Sequence, residues 1–332
     1  MTAAADIERM TRALQLAASV RTSTPPNPWV GCVIEALDGT VHEGATQPVG
    51  GPHAEAVALS TTADVRGGTA WTTLEPCAHH GRTPPCADAL VAAGVARVVV
   101  ALEDPDPRVA GQGIHRLRDA GIVVDVGVGA ESAAALLAPY LVQRRTGRPY
   151  VVLKLAASLD GRTAAPDGSS RWITGAEARA DAHALRAESD VVLVGAGTVR
   201  ADDPSLTVRD APAPRGDPIR MVLGAAPAGA RVHPCLEHTG DLGEVLDELG
   251  SAGHLQVLVE GGATVAHAFH AGGLVDRYVL YLAPALFGGD DATGLFRGAG
   301  AASIDDVWRG RISAVSRLGD DLRIDLDPKG AG

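Results

Sequence analysis

Three residues constrain this chain most: His53, and the cysteines Cys77 and Cys86 that follow it 24 and 33 positions later. One imidazole and two thiols are donors that zinc prefers, and a catalytic zinc site keeps one of its four positions open. Glu55, two residues from the imidazole, is placed to take a proton from a water that the metal acidifies. Donors this far apart meet only if the chain folds back on itself, and the pattern between them predicts how. Ala54 to Ser60 reads as a helix with His53 and Glu55 at its start, Thr69 to Leu74 as a strand entering the Pro76-Cys77 turn, and Cys86 to Ala93 as a second helix. Zinc then sits between helix starts, in an α/β layer structure. A closed structural site with Cys32, His79 or His80 as fourth ligand is the competing reading, and it leaves Glu55 without a role.

His-x-Glu followed by Pro-Cys-x-x-Cys is the signature of zinc-dependent nucleobase deaminases. Here eight residues, Ala78 to Pro85, separate the cysteines instead of two. Gly81, Pro84 and Pro85 suit a fixed loop, and the basic residues of the insert suit an anion.

Around this centre the chain predicts a helix over residues 7–20 and a strand over 29–34. Pro25, Pro26 and Pro28 bracket Asn27 in a rigid loop between them. A strand over 95–102, an outward turn at Asp104-Pro105-Asp106-Pro107, a helix over 113–120, a strand over 122–126 and a helix over 131–140 complete a first domain. The polar stretch Gln143 to Pro149 reads as a linker, dividing the chain into domains 1–146 and 147–332. The second domain opens with a strand, Tyr150 to Ala156, that carries Lys154. Two runs, Val191 to Arg200 and Val257 to Thr264, each predict strand, glycine turn and helix start, where backbone N–H groups bind phosphate. Arg200 stands where a dinucleotide fingerprint has its third glycine, so a Rossmann assignment is weak. Residues 311–318 and 321–326 predict a hairpin closing one edge of the second sheet.

Hydrophobic residues at 46% and charged residues at 21% fit ordinary globular domains, while a formal charge of −11 opposes a nucleic-acid scaffold. The cations are almost all arginine, Lys154 and Lys329 being the two lysines. Four cysteines make no disulfide framework. With neither an apolar leader near Met1 nor an apolar run of about 18 residues, the expectation is a cytoplasmic protein with no membrane partner.

The stretches Asn27 to Val33, His53-Ala54-Glu55, Thr73 to Cys86, Leu153 to Arg162, Arg171 to Thr174 and Ala201 to Thr207 closely resemble the bifunctional deaminase/reductase family of riboflavin biosynthesis. The resemblance spans essentially the whole length, and the long cysteine loop is that family's own form. It implies a cytidine-deaminase-like three-layer α/β/α domain followed by a dihydrofolate-reductase-like α/β domain. The implied reactions are hydrolytic deamination of 2,5-diamino-6-(5-phosphoribosylamino)pyrimidin-4-one and NADPH-dependent reduction of its ribosyl group to ribityl.

By resemblance, His53, Cys77 and Cys86 hold zinc and Glu55 shuttles protons, while Asn27, His79, Arg82 and Asp104 meet the deaminase substrate. In the reductase, Lys154 is implied as catalytic, and Ser170, Thr174, Arg186, Leu206, Arg209 and Glu260 as surrounding the substrate. Arg186 and Arg209 are expected to clamp its phosphate. Ala156, Trp172, Thr198, Asp202 and the turn Gly262-Ala263-Thr264 match NADPH positions. The implied partners are a phosphorylated pyrimidine and further copies of the chain, as a dimer or tetramer.

Three departures qualify this picture. Thr46 replaces a histidine near the deaminase pocket, and Asp106 replaces the asparagine of Asp-Pro-Asn-Pro. Leu223 to Leu255 is short and poor in strand-like runs, which predicts weak NADPH affinity. An alternative reading makes the second domain a non-catalytic binding or dimerisation module; Lys154, Asp202, Arg209 and Glu260 favour reduction.

Overall fold

The structure, a computed structural model, describes residues 2–61, 64–78, 84–107 and 109–329. The chain forms two compact units, Met1–Gly147 and Arg148–Gly332.

In the first unit, helix α1 (Ala3–Ser19) lays Met10, Ala13 and Ala17 against a sheet of β1 (Gly31–Glu35), β2 (Val41–Ala45), β3 (Thr69–Thr72), β4 (Arg97–Val100) and β5 (Val123–Val126). The strand order is β2-β1-β3-β4-β5, with β1 antiparallel to both neighbours and β3, β4 and β5 parallel. Strand side chains alternate between faces. Val33, Trp71 and Val99 stand side by side in register and pack with α1 residues Met10 and Ala13 and with Ala133 of α5 (Ala130–Thr146). The other helices are α2 (Ala54–Ser60), α3 (Cys86–Ala93) and α4 (Gln112–Asp119), of which α2 packs on β1, β2 and α3.

Helices α2 and α3 span the residues that the pattern predicts. β2 is an addition, because His42, Glu43 and Gly44 hide an edge strand's alternation. Helix α5 also runs on through Gln143–Thr146, which the sequence marks as linker. It ends on Gly147 in the left-handed conformation (φ 75°), and Arg144 and Arg145 in its last turn oppose the helix dipole.

In the second unit, β6 (Tyr150–Ser158) lies mid-sheet. It is followed by β7 (Arg162–Ala164), α6 (Ala176–Glu188), β8 (Val191–Gly195), α7 (Ala196–Asp202), β9 (Ile219–Leu223), β10 (Leu236–His238) and α8 (Leu242–Ser251). Next come β11 (Gln256–Val259), α9 (Ala263–Ala271), β12 (Arg277–Ala283), β13 (Thr293–Gly294), β14 (Gly310–Leu318) and β15 (Asp321–Pro328). The order is β10-β9-β8-β11-β6-β12-β15-β14, parallel as far as β12, and the expected hairpin β14–β15 closes one edge. β7 pairs with β13 as a separate ribbon. The core runs through Val151, Leu153, Leu193, Val257, Val259 and Phe269.

Among the described residues no helix is long and apolar enough to cross a membrane.

Candidate zinc and reductase sites

One end of the first sheet collects the described residues of the predicted deaminase site, and the pairing explains why. The start of β1, the ends of β2 and β3, and the end of β4 lie together: Gly31 pairs with Ala45, Cys32 with Thr72, and Thr72 with Val100. The chain leaves these ends toward His53, Cys77 and Asp104 and enters from Asn27. Two glycines let the pieces close. A Cβ at Gly44 would lie 2.1 Å from the Ala54 carbonyl oxygen, and one at Gly113 only 1.8 Å from that of Pro76. Glycine therefore presses α2 onto β2, and α4 onto the cysteine turn.

His53 Nδ1 stands 3.6 Å from Cys77 Sγ and 3.3 Å from Cys86 Sγ, and the Cys86 N–H donates to Cys77 Sγ at 3.4 Å. One donor atom from each residue falls within 4.8 Å of the others; among the described residues the set stops at these three, without Cys32 or Glu55. The Cys77 thiol is acidified, chiefly by its hydrogen bond with Cys86 and then by His53, while Cys86 keeps its proton. Soft donors that share protons in one small space fit a divalent cation that displaces them. Glu55 is buried in the first turn of α2 against the Cys86 thiol, and burial pushes its carboxyl upward. A carboxyl so placed can both take and give a proton.

Asp104 is buried, accepts from Tyr140 Oη at 3.1 Å and from the Asp106 N–H at 2.9 Å, and is raised first by burial. Asp106 is also buried and faces Arg144 at 4.0 Å, so the added anion has a cation of its own. The Thr46 hydroxyl accepts the Val30 N–H at 3.1 Å and ties the loop before His53 to β1. Asn27 is half-buried in its proline turn. His79 and Arg82 lie outside the described residues.

Sequence reasoning missed Glu75. Its buried carboxylate accepts four backbone N–H groups, from Asp104 (3.2 Å), Gly111 (3.0 Å), Gly113 (2.8 Å) and Ile114 (3.2 Å). It thereby joins the strand that delivers Cys77 to the loop that delivers Asp104. A carboxylate two residues before the cysteine carries no sign of this in the sequence.

In the second unit, Lys154 on β6 neighbours the end of β11, because Val259 pairs with Leu153. Its Nζ is 4.0 Å from Glu260 Oε2 and 5.8 Å from the centre of the Tyr281 ring. Burial lowers the lysine, with Glu260 opposing. Arg186 is bound to Glu260. Its Nε and Nη2 bind both Glu260 oxygens, at 2.5 and 3.0 Å, and its Nη1 donates to the Thr207 carbonyl at 3.0 Å. Three of its five N–H groups are engaged in this way, which ties Arg186 to Glu260 and to the loop at Thr207. The cause is Glu260, a carboxylate buried at a strand end, which requires cations beside it. Although burial alone would raise Glu260, Arg186 and Lys154 bring it below the usual range.

Arg209 is exposed, with Nη1 held by Ser205 Oγ (2.9 Å) and Thr207 Oγ1 (3.2 Å) and its backbone N–H donating to His183 Nδ1 (3.3 Å). His183, buried on α6, is a second residue that the sequence did not single out. Leu206, buried at φ 53°, holds the loop in a left-handed conformation uncommon for a bulky side chain. Ser170 and Thr174 are half-buried before α6, and the Thr174 carbonyl accepts from Arg179 at 2.7 Å.

Thr198, Asp202 and the Gly262-Ala263-Thr264 turn follow the ends of the adjacent parallel strands β8 and β11. From β8 the chain leads to β9 on one side, and from β11 through α9 to β12 on the other. Crevices at such reversals bind dinucleotides. The Gly262 N–H donates to Thr198 Oγ1 at 3.1 Å, lacing the two turns, and Ala263 and Thr264 open α9 with no side-chain cap from Gly262. Nothing lies within 4 Å of where a Gly197 Cβ would sit, leaving backbone open to a phosphate. Asp202 ends α7 and receives Arg171 Nη2 on its carbonyl at 2.5 Å. Trp172 is 71% exposed under the Arg179 guanidinium (4.6 Å), and Ala156 lies on β6 opposite Tyr281. Trp172 therefore fills no core.

Residues 4–102 match the model of the cytidine and deoxycytidylate deaminase zinc-binding region, and residues 149–323 match the RibD C-terminal domain. The riboflavin biosynthesis protein RibD of Escherichia coli K12 is 42% identical, over 96% of this chain and 98% of its own. That of Mycobacterium tuberculosis H37Rv is 42% identical over 96% of each. The chain belongs to the RibD family. Acinetobacter baumannii RibD has the same architecture, with a TM-score of 0.92 at 39% identity over 99% of this chain and 100% of that one. A Thermotoga maritima diaminohydroxyphosphoribosylaminopyrimidine deaminase/5-amino-6-(5-phosphoribosylamino)uracil reductase gives 0.88 at 30% identity, over 97% and 98%. As a family member this chain is a bifunctional enzyme of riboflavin biosynthesis, a zinc-dependent deaminase joined to an NADPH-dependent reductase. The second unit is thus a reductase, not a non-catalytic module.

Proposed function

We propose that the first unit removes the 2-amino group of 2,5-diamino-6-(5-phosphoribosylamino)pyrimidin-4-one, and that the second reduces the ribosyl group of the product to ribityl. The observation that carries this reading is Glu55, a buried carboxylate against a His-Cys-Cys donor set to which it does not belong. His53, Cys77 and Cys86 hold the metal. Zinc there supplies Lewis-acid activation of water. Glu55 takes one proton from the attacking water and gives it to the ring nitrogen, then takes the second from the new hydroxyl and gives it to the departing amine, so that ammonia leaves and the carbonyl forms. Asp104, set by Glu75 and Tyr140, orients the pyrimidine with Asn27, while His79 and Arg82 of the long loop meet the phosphorylated side.

In the reductase, NADPH supplies the hydride. Reducing a ribosyl to a ribityl group also consumes one proton, and Lys154 is the ammonium positioned to give it, with Glu260 and Arg186 setting its charge. Arg209 takes the substrate phosphate, with Ser170, Thr174 and Leu206 shaping the pocket. Ala156, Trp172, Thr198, Asp202 and the Gly262-Ala263-Thr264 turn hold the cofactor. The short segment after Leu223 raises the KM for NADPH more than it lowers kcat.

The protein works in the cytoplasm as a homo-oligomer. Its edge strand β14 shows Ile312 and Val315 each 59% exposed, an apolar strip of the kind that pairs between copies.

The test is to assay both steps with purified protein, following ammonia release from the phosphoribosylated pyrimidine and NADPH oxidation with the deaminated product. Ammonia release from free cytidine at a comparable rate would overturn the substrate assignment. Ammonia release without any NADPH oxidation at saturating cofactor would overturn the residue roles in the second unit.

A further inference from the structure

The segment between β9 and α8 holds a second group of metal-binding side chains. His233, Cys235 and Glu237 stand at alternate positions leading into the edge strand β10, and one donor atom from each lies within 4.8 Å of the others. Cys235 Sγ is 3.4 Å from His233 Nδ1.

The surroundings of this trio resemble a built site. His233 Nε2 is 3.0 Å from the Pro227 carbonyl oxygen. A carbonyl only accepts, so Nε2 carries the proton and Nδ1 turns its lone pair toward the thiol. Metal-binding imidazoles are held in just this way, with the far N–H on a backbone carbonyl. Glu237 is held too: its Oε1 accepts the Ala226 N–H at 2.9 Å, leaving Oε2 to bind. Ala226 and Pro227 are neighbours in the same β9–β10 connection. His233 and Glu237 are exposed, so packing does not account for their meeting.

The geometry points to a second metal site, in which His233 Nδ1, Cys235 Sγ and Glu237 Oε2 bind a divalent cation of the zinc type. A mixed imidazole, thiolate and carboxylate set suits zinc, whereas magnesium and calcium take oxygen donors. The bound ion would staple β10 to the loop at Ala226–Pro227 and close the exposed edge of the sheet where the chain is short. Three protein donors leave a position to solvent. With one thiolate where the deaminase set has two, and on a more exposed part of the chain, this ion exchanges more readily than one held by His53, Cys77 and Cys86.

Full-length protein equilibrated with Zn2+ and freed of unbound ion should contain two zinc ions per chain by atomic emission. Cys235→Ser and His233→Ala should each contain one, with ammonia release unchanged. A mild chelator should remove the second ion while deamination continues. Cobalt gives an independent readout: Cys235→Ser should lose roughly a third of the thiolate–cobalt absorption, one thiolate of three. Should Cys235→Ser fail to fold, the surface change Glu237→Gln tests the same site through about ten- to hundredfold weaker binding of the second ion. A single zinc ion in the unaltered protein, or two retained in either His233→Ala or Cys235→Ser, would overturn the site.

Discussion

The two active sites handle charge in opposite ways. At the deaminase centre, His53, Cys77 and Cys86 bring three donors together with no cation of the chain between them, so the site is completed from outside the chain. At the reductase centre, Lys154, Arg186 and Glu260 neutralise one another within the chain. The first arrangement ties activity to metal supply and leaves the fold to its sheet and helices. The second ties activity to stability, because the same ion pairs serve both. Each contrast can be broken by substitution.

The largest expected effect is on deamination. Glu55→Gln keeps the three donors, so zinc content should not change while ammonia release falls about 10²–10⁴-fold. Near-normal turnover would remove Glu55 from proton transfer, and a parallel loss of zinc would make it a ligand.

Next is Glu260→Gln, which leaves Arg186 and Lys154 buried without their carboxylate. Removing one partner of a buried pair costs about 3–5 kcal/mol. Denaturant unfolding should show that loss in the second unit, together with lost NADPH oxidation and intact deamination. Because the Glu260 pKa is depressed, the stability it contributes is present above its unfolded value and disappears as pH falls through the folded one. Unchanged unfolding would mean that the pair serves catalysis alone.

Asp276 provides the counter-case within the same unit. Burial pushes it up to about 6, with a single N–H donor, Val151 at 2.7 Å, in opposition. A carboxyl raised on folding stabilises below its unfolded value, and that stability is lost as pH rises through about 6. Asp276→Asn should therefore be more stable than the parent at pH 7, by at most about 3 kcal/mol. The two should converge near pH 4, as thermal melts across that range will test. A gap that persists in acid would assign the effect to packing.

The smallest effect belongs to Thr198→Val, which strips the Gly262 N–H of its partner and loosens the lacing between the two glycine turns. A lost hydrogen bond of about 0.5–1.5 kcal/mol should raise the NADPH KM by a few-fold and leave kcat in place. Equal falls in kcat and kcat/KM would place Thr198 at the reacting end instead.

Much of the first site was legible because its signals are local. Helices α2 and α3 start at a ligand and run as their apolar spacing requires, and the cysteine loop announces its family. Strand β2 was not legible, since its polar residues mask an edge strand, nor was the end of α5, where Gln-Arg-Arg-Thr resembles a linker until Gly147 caps it. In the second unit the sequence marked Arg186 and Glu260 separately. Their bidentate contact, across 74 residues, is not a local fact.

By itself the sequence determined the donor set, the carboxylate beside it, the two-domain plan and the glycine turns, because each rests on residue type and short spacing. Only the tertiary structure decided which charges meet. It gave Glu75 four backbone N–H groups, Arg186 its carboxylate, His183 its place beside Arg209, and His233, Cys235 and Glu237 their common point. The reason is physical: a buried charge or donor takes whatever partner the packing of distant strands brings within about 3 Å, and that distance is not written in local sequence.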